Sequence, residues 1–145
     1  VVRRLRRQGK VIAFTNGCFD LLHVGHLDTL ERARHLADCL IVGINSDASV
    51  RRLKGRRRPI VPARARTKLV AGFKPVDYVT VFSEDTPLKL IRAIRPDILA
   101  KGGDWAVEQV VGREVVESSG GRVVVLPYRK GRSTTGLLNK VRKFS

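Results

Sequence analysis

Five short stretches, residues 11–14 (VIAF), 39–44 (CLIVGI), 78–82 (YVTVF), 98–100 (ILA) and 122–126 (RVVVL), are apolar almost throughout instead of alternating with polar residues. Strands of that kind must be covered on both faces, so each demands helices above and below its sheet. The sequence supplies them. Helical spacing runs from about residue 25 to 36 and over 47–54, 63–73, 87–94, 107–118 and 134–142, with a short basic helix predicted over 1–8. Ser46 or Asp47 is placed to cap the helix over 47–54, Asp85 or Thr86 ahead of Pro87 to open the one over 87–94, and Ser133, Thr134 and Thr135 to cap the last. This alternation predicts an α/β fold, a single Rossmann-like, doubly wound, five-stranded parallel sheet. In such sheets ligands dock outside the carboxyl ends of the strands, where the strand order reverses. Segments 16–26, 45–47, 101–105 and 128–135 follow strands one, two, four and five, and are expected on one rim.

The segment with the most chemistry follows the first strand. Thr15-Asn16-Gly17 is a turn signal, and a polar, glycine-containing loop then runs directly into a helix with His23 and His26 at its entrance. The first N–H groups of a helix lack intrahelical partners, and the aligned peptide dipoles place positive charge there, so such an entrance collects anions. Two imidazoles one turn apart add donors. Gly25 between them has no Cβ and lets a phosphate approach the backbone.

Composition limits the ligand class. Lys and Arg total 29 against 13 Asp and Glu, a formal charge of +16, with clusters at 3–10 and 51–58. That charge concentrates phosphorylated partners. Aromatic residues make up only 6% of the chain and no helix-turn-helix, zinc-finger or RNP-like pattern is present, so a basic surface suited to a polyanionic small molecule is favoured over nucleic-acid binding. With 145 residues, 43% of them hydrophobic, one domain is predicted over 1–145, residues 1–10 being a basic lead-in. No apolar run approaches the ~20 residues that span a bilayer and no signal-peptide core is evident, so no membrane partner and a cytoplasmic location are expected. Cys18 and Cys39 are too few for a disulfide framework, and Cys39 reads as core. The chain has no methionine. Val1 stands for an alternative start, or the sequence is a piece of a longer polypeptide, and both readings stay open.

A phosphate oxygen attacking the α-phosphorus of a nucleoside triphosphate builds negative charge, and catalysis of that step is mainly positioning and charge stabilisation. His23 and His26 supply donors for it. Lys54 and Arg66 supply cations for the triphosphate or the acceptor phosphate, and Ser133, Thr134 and Thr135 supply hydroxyls and a second helix N-terminus for pyrophosphate. Lys101, Gly102, Gly103, Asp104 and Trp105 make a candidate nucleotide platform, with backbone open to close approach, a carboxylate for polar recognition and an indole for contact. Asp20 either holds His23 or simply caps its loop. Zinc ligation by His23 and His26 is disfavoured because no further Cys or His cluster completes a tetrahedral set, and a Cys18 nucleophile lacks an orienting third group. His35 is assigned nothing, and residues 56–58 read as a solvated charge run.

Gly17-Cys18-Phe19-Asp20 and His23-Val24-Gly25-His26 resemble the signature of the cytidylyltransferase-like, HxGH nucleotidylyltransferases, and the likeness extends from Val11 onward. Within that superfamily the segments 42–50, 53–55, 85–87, 96–99, 101–104 and 133–135 are most similar to the bacterial D-glycero-β-D-manno-heptose 1-phosphate adenylyltransferases, free-standing or joined to a heptose kinase. The resemblance implies transfer of AMP from ATP, with Mg²⁺, to heptose 1-phosphate, giving ADP-heptose for the lipopolysaccharide core and releasing pyrophosphate. It assigns catalysis to His23, His26 and Lys54. Nucleotide binding falls to Asn16, Gly17, Phe19, Asp20, Gly25, Arg66, Gly102, Asp104, Trp105, Ser133, Thr134 and Thr135, and substrate binding to Asn45, Asp47 and Lys101, with no protein metal ligand assigned. The implied partners are ATP, a phosphorylated sugar, a heptose kinase and a second copy of the chain. Glycerol 3-phosphate cytidylyltransferase is the competing enzyme, but Tyr128 stands where that family has Arg and Lys101 where it is apolar. Trp105 in place of Tyr, and the arginines of 54–65, depart from typical heptose enzymes. A non-catalytic nucleic-acid-binding module is the alternative of another class.

Overall fold

The computed structural model is described for residues 1–128 and 134–143. After α1 (Val2–Arg7) the chain alternates β1 (Ile12–Gly17), α2 (Val24–His35), β2 (Cys39–Asn45), α3 (Asp47–Lys54), α4 (Ala63–Ala71), β3 (Tyr78–Phe82), α5 (Leu88–Ile94) and β4 (Ile98–Gly102). A 3₁₀ turn (Val107–Gln109), α6 (Arg113–Ser118), β5 (Arg122–Leu126) and α7 (Thr134–Lys143) complete it. The sheet has five parallel strands in the order β3-β2-β1-β4-β5, the predicted doubly wound architecture. From β1 the chain moves outward through β2 and β3, then returns to lay β4 on the other side of β1. The order therefore reverses at the β1–β4 boundary.

Successive residues of a strand point to opposite faces, and the two cores divide accordingly. Ala13, Leu40, Val42 and Ile44 join Leu30 and Ala33 of α2 and Val70 of α4 on one face. Ile12, Phe14, Cys39 and Ile41 join Leu5, Ile91, Ile94 and Val116 on the other. Carboxylates close the amino ends of the central strands. Asp97 accepts the Ile12 N–H at 2.8 Å, Asp38 the Val11 N–H at 2.8 Å and Asp77 the Leu40 N–H at 2.8 Å. These acids lie at the sheet's amino end, opposite the rim where ligands dock.

Three local expectations need correction. The helix expected over 107–118 is broken into the 3₁₀ turn and α6, because Gly112 between them sits at φ +90° and presses so close to α5 that a Cβ there would lie 2.6 Å from the Ile91 Cδ1. Helix α5 starts at Leu88 with Pro87 as its cap residue and no side-chain cap, since the Asp85 carboxylate is drawn instead to the Arg52 Nε at 2.8 Å. Full burial holds for β2 and for the first four residues of β1 but not for the edge strands, where most of β3 and β5 is only half-buried and Val81 is exposed.

Candidate active site

At the carboxyl end of the sheet a cleft of about 750 Å³ opens across the β1–β4 boundary. That volume lies within the range of small-molecule sites. Of the residues picked out from sequence, Asn16, Gly17, Phe19, Asp20, His23, His26, Asn45, Lys54, Lys101, Gly102, Asp104 and Trp105 all line it. The three described loops expected on one rim thus converge. Ser133 lies outside the described residues, as do the side chains of Thr134 and Thr135, whose backbone opens α7.

His23 is the cap residue of α2, and its Nδ1 accepts the Gly25 N–H at 3.1 Å. His26 reciprocates, its Nδ1 accepting the His23 N–H at 3.2 Å. The ring centroids are 4.1 Å apart. In this capping box each Nδ1 serves as an acceptor, which places the proton of the neutral imidazole on Nε2. The helix entrance therefore spends these backbone donors internally and leaves the ring Nε2–H groups as its donors, that of His23 being buried. Gly25 is buried and outside the cleft lining, with its carbonyl accepting the Thr29 hydroxyl at 3.1 Å, so it does not provide the open backbone expected of it.

Burial, followed by the neighbouring His23 and Lys54 charges, pushes the His26 pKa down from 6.5 to about 4. His26 is therefore a neutral donor at pH 7. The folded pKa lies below that of the unfolded chain, so the associated stability is present above pH 6.5 and is lost as pH falls toward 4. Urea unfolding is expected to show a loss on the order of 2–3 kcal/mol across that window in the native chain, and a smaller one in His26→Asn. Equal losses in both would disprove the assignment.

Phe19 leads into this entrance with φ +49°, a left-handed conformation that costs an L residue about 1–2 kcal/mol. Its ring is buried, lies 5.5 Å from the His26 ring, and would meet a Cβ on Gly17 at 3.0 Å. Asp20 holds the strained loop. Its carboxylate accepts the Ile60 N–H at 2.9 Å, the Val61 N–H at 2.9 Å and the Arg58 Nε at 2.6 Å. Burial alone would raise its pKa, but these bonds and the Arg58 charge bring it below the usual carboxylate value. Asp20 reaches the cleft wall, and its carboxylate staples the loop to residues 58–61.

Arg66 is the larger correction. It is 0% exposed and absent from the cleft lining, so it touches no phosphate. Its guanidinium donates to the carbonyls of Val61 (2.8 Å), Cys18 (2.6 Å) and Asn45 (2.8 Å) and to the Asp47 carboxylate (2.7 Å). One side chain thus ties together the ends of β1 and β2, the start of α3 and the loop before α4. Asp47 also accepts the Ala63 N–H at 2.8 Å and lies outside the cleft lining, its carboxylate being engaged by Arg66 and the backbone. Asn45 does line the cleft, while its amide donates to the Ser49 hydroxyl at 3.0 Å.

On the β4 side, Lys101 carries its Nζ 5.1 Å from the Trp105 ring centroid. Gly102 and Gly103 admit two aromatic rings. A Cβ on Gly102 would meet the Tyr128 ring at 3.2 Å, and one on Gly103, at φ +116°, would meet Trp105 at 3.1 Å and Tyr128 at 3.2 Å. Tyr128 was absent from the expected site residues, although its position just after β5 carried the same rim signal as the others; burial raises its pKa. Thr29 was also missed, and its spacing of one turn from His26 on α2 was the available clue.

Comparison with known proteins agrees with this geometry. Residues 14–134 match the cytidylyltransferase-like family model. The chain is 55% identical over 136 residues to the bifunctional protein HldE of Syntrophotalea carbinolica, covering 94% of this chain and 28% of that protein. It is 52% identical over 143 residues to the bifunctional protein HldE of Geobacter sulfurreducens, covering 99% and 29%. The chain therefore spans less than a third of the length of these relatives. In structure it is similar to the lipopolysaccharide core biosynthesis protein from Thermoplasma volcanium, with a TM-score of 0.68, 28% identity, and coverage of 84% of this chain and 98% of that one. With that match running from the middle of β1 to the start of α7 and taking in the paired histidines, the chain belongs to the cytidylyltransferase-like family.

Proposed function

We propose that this chain is a nucleotidylyltransferase that moves AMP from ATP to a sugar 1-phosphate, D-glycero-β-D-manno-heptose 1-phosphate, forming ADP-heptose. The observation that carries the reading is the pair of imidazoles at the mouth of α2, both lining the cleft with their Nδ1 atoms held by backbone N–H groups. The names of the HldE relatives and of the similar lipopolysaccharide core protein support the choice of acceptor.

An oxygen of the acceptor phosphate attacks the α-phosphorus, the bond from that phosphorus to the bridging oxygen of the β-phosphate breaks, and pyrophosphate leaves with the electron pair. His23 and His26 donate Nε2–H bonds to the oxygens that gain charge. A ring with a pKa of about 4 is a hydrogen-bond donor at neutral pH and does not need to give up its proton. Lys54, at the exposed end of α3, neutralises the triphosphate. Among the described residues no three His, Cys, Asp or Glu side chains converge, and Asp104 is the cleft carboxylate with no cation paired to it. Asp104 fits a Mg²⁺ that would arrive with the triphosphate, and the ion would supply charge neutralisation there.

Pyrophosphate release measured with ATP or CTP, against heptose 1-phosphate, glycerol 3-phosphate and phosphoethanolamine, tests the reading. Turnover is expected only with ATP and the sugar phosphate. Preference for CTP with glycerol 3-phosphate would replace it, and no turnover with any pair would refute it.

A further inference from the structure

Arg58 stands apart from the basic run it belongs to. Residues 51–57 are all exposed, whereas the Arg58 side chain is only 15% exposed and its Nε donates at 2.6 Å to the Asp20 carboxylate, itself 1% exposed. The solvated run expected over 56–58 therefore ends at Arg57. Burying this guanidinium is costly, because its Nη2 is buried with no acceptor among the described residues. Nor does a buried ion pair usually stabilise a fold more than apolar side chains of the same volume would. What the pair specifies is position. Asp20 follows Phe19, the residue held at φ +49°, whose ring lies 5.5 Å from that of His26. By accepting the Ile60 and Val61 N–H groups, the same carboxylate fastens the segment between α3 and α4 to the histidine loop. Lys54 closes α3 at the start of that segment, so the loop and the cleft lysine share one clasp.

From this geometry we infer that Arg58 is a positioning residue for the transfer step: by holding the Asp20 carboxylate it keeps the Phe19 ring against His26 and so sets the aim of that imidazole. The inference rests on the nucleotidylyl-transfer reading above and adds a residue that the cleft does not reveal, since Arg58 lies outside its lining. The other guanidinium on this loop does not duplicate it. Arg66 holds the Cys18 carbonyl, on the residue before Phe19, whereas Arg58 acts through the residue after it. The left-handed turn is thus gripped from both sides. With one grip gone the turn can relax toward an ordinary conformation and carry the Phe19 ring away from His26, and a displacement of about 1 Å at a reacting group costs up to about 100-fold in rate.

Arg58→Met is expected to lower kcat by roughly 10- to 100-fold while the KM for ATP changes by less than about threefold, with Arg58→Lys recovering part of the loss because an ammonium can still meet one carboxylate oxygen. Asp20→Asn supplies the control. It removes the group through which Arg58 acts and spares the double variant a buried, unpaired carboxylate, so adding Arg58→Met to it should lower kcat by no more than about twofold further. A second readout needs no turnover. The chain has three histidines, and the His26 ring can be followed by NMR. In the native chain burial, followed by the His23 and Lys54 charges, holds its pKa at about 4, and Arg58→Met is expected to move it up toward 6.5 as the ring is uncovered. An unchanged His26 titration in Arg58→Met, or a loss of kcat that persists in full on the Asp20→Asn background, would overturn the assignment. No turnover with any substrate pair, alongside a His26 titration that shifts in Arg58→Met, would refute the proposed reaction and still support the positioning of the ring by Arg58.

Discussion

His26→Ala is expected to lower kcat by about two to three orders of magnitude, the usual effect of removing one pre-aimed donor from developing charge. The KM for ATP should change far less, because the lost bond strengthens only as the transition state forms. Alanine also removes the acceptor for the His23 N–H, at 3.2 Å, and so takes a cap from α2 at a cost of about 1 kcal/mol. His26→Asn separates the two roles. The asparagine carbonyl oxygen takes over the backbone bond and restores most of the stability, but nothing replaces the Nε2–H. Turnover in the Asn variant should therefore stay as low as in the Ala variant while its urea midpoint returns toward that of the native chain. Near-normal turnover in His26→Asn would take His26 out of the chemistry and leave it a capping residue.

That double role explains what the sequence could and could not reveal about the site. Two histidines at a helix entrance behind a glycine-containing loop were enough to locate the cleft, because strand-then-helix alternation forces the loops at the carboxyl ends to one rim. The ring nitrogens' division of labour was not readable. It depends on whether the backbone N–H groups of α2 face ligand or fold back, and here those of His23 and Gly25 fold back onto the rings. Gly112 shows the converse. A glycine inside a helical pattern is usually tolerated, and only the approach of Ile91 from α5 makes it a break. Asp20 had two open readings, and the loop-cap one matches its bonds to residues 58, 60 and 61, a contact across about forty positions that no local pattern encodes.

Arg66 was misjudged because a guanidinium in a basic, phosphate-seeking chain reads as a ligand contact. A clue was present: Arg66 and Val70 are four residues apart in α4, so Arg66 lies on the face that Val70 buries. A buried cation on an apolar face is there for protein acceptors. Replacing it should therefore act first on folding. Arg66→Met is expected to cost about 3–5 kcal/mol in urea unfolding, since it leaves the Asp47 carboxylate and the Cys18, Asn45 and Val61 carbonyls without their shared donor. Arg66→Lys should recover little of this, because one ammonium cannot span four acceptors set around a planar fork. Lys54→Ala is the contrasting case. Its side chain ends α3 in solvent, so stability should change by less than about 0.5 kcal/mol while the KM for ATP rises. If Arg66→Met instead unfolded at the native midpoint and raised only the KM for ATP, the guanidinium would have to reach substrate. The four-way tie would then not be what holds the histidine loop against the end of β2.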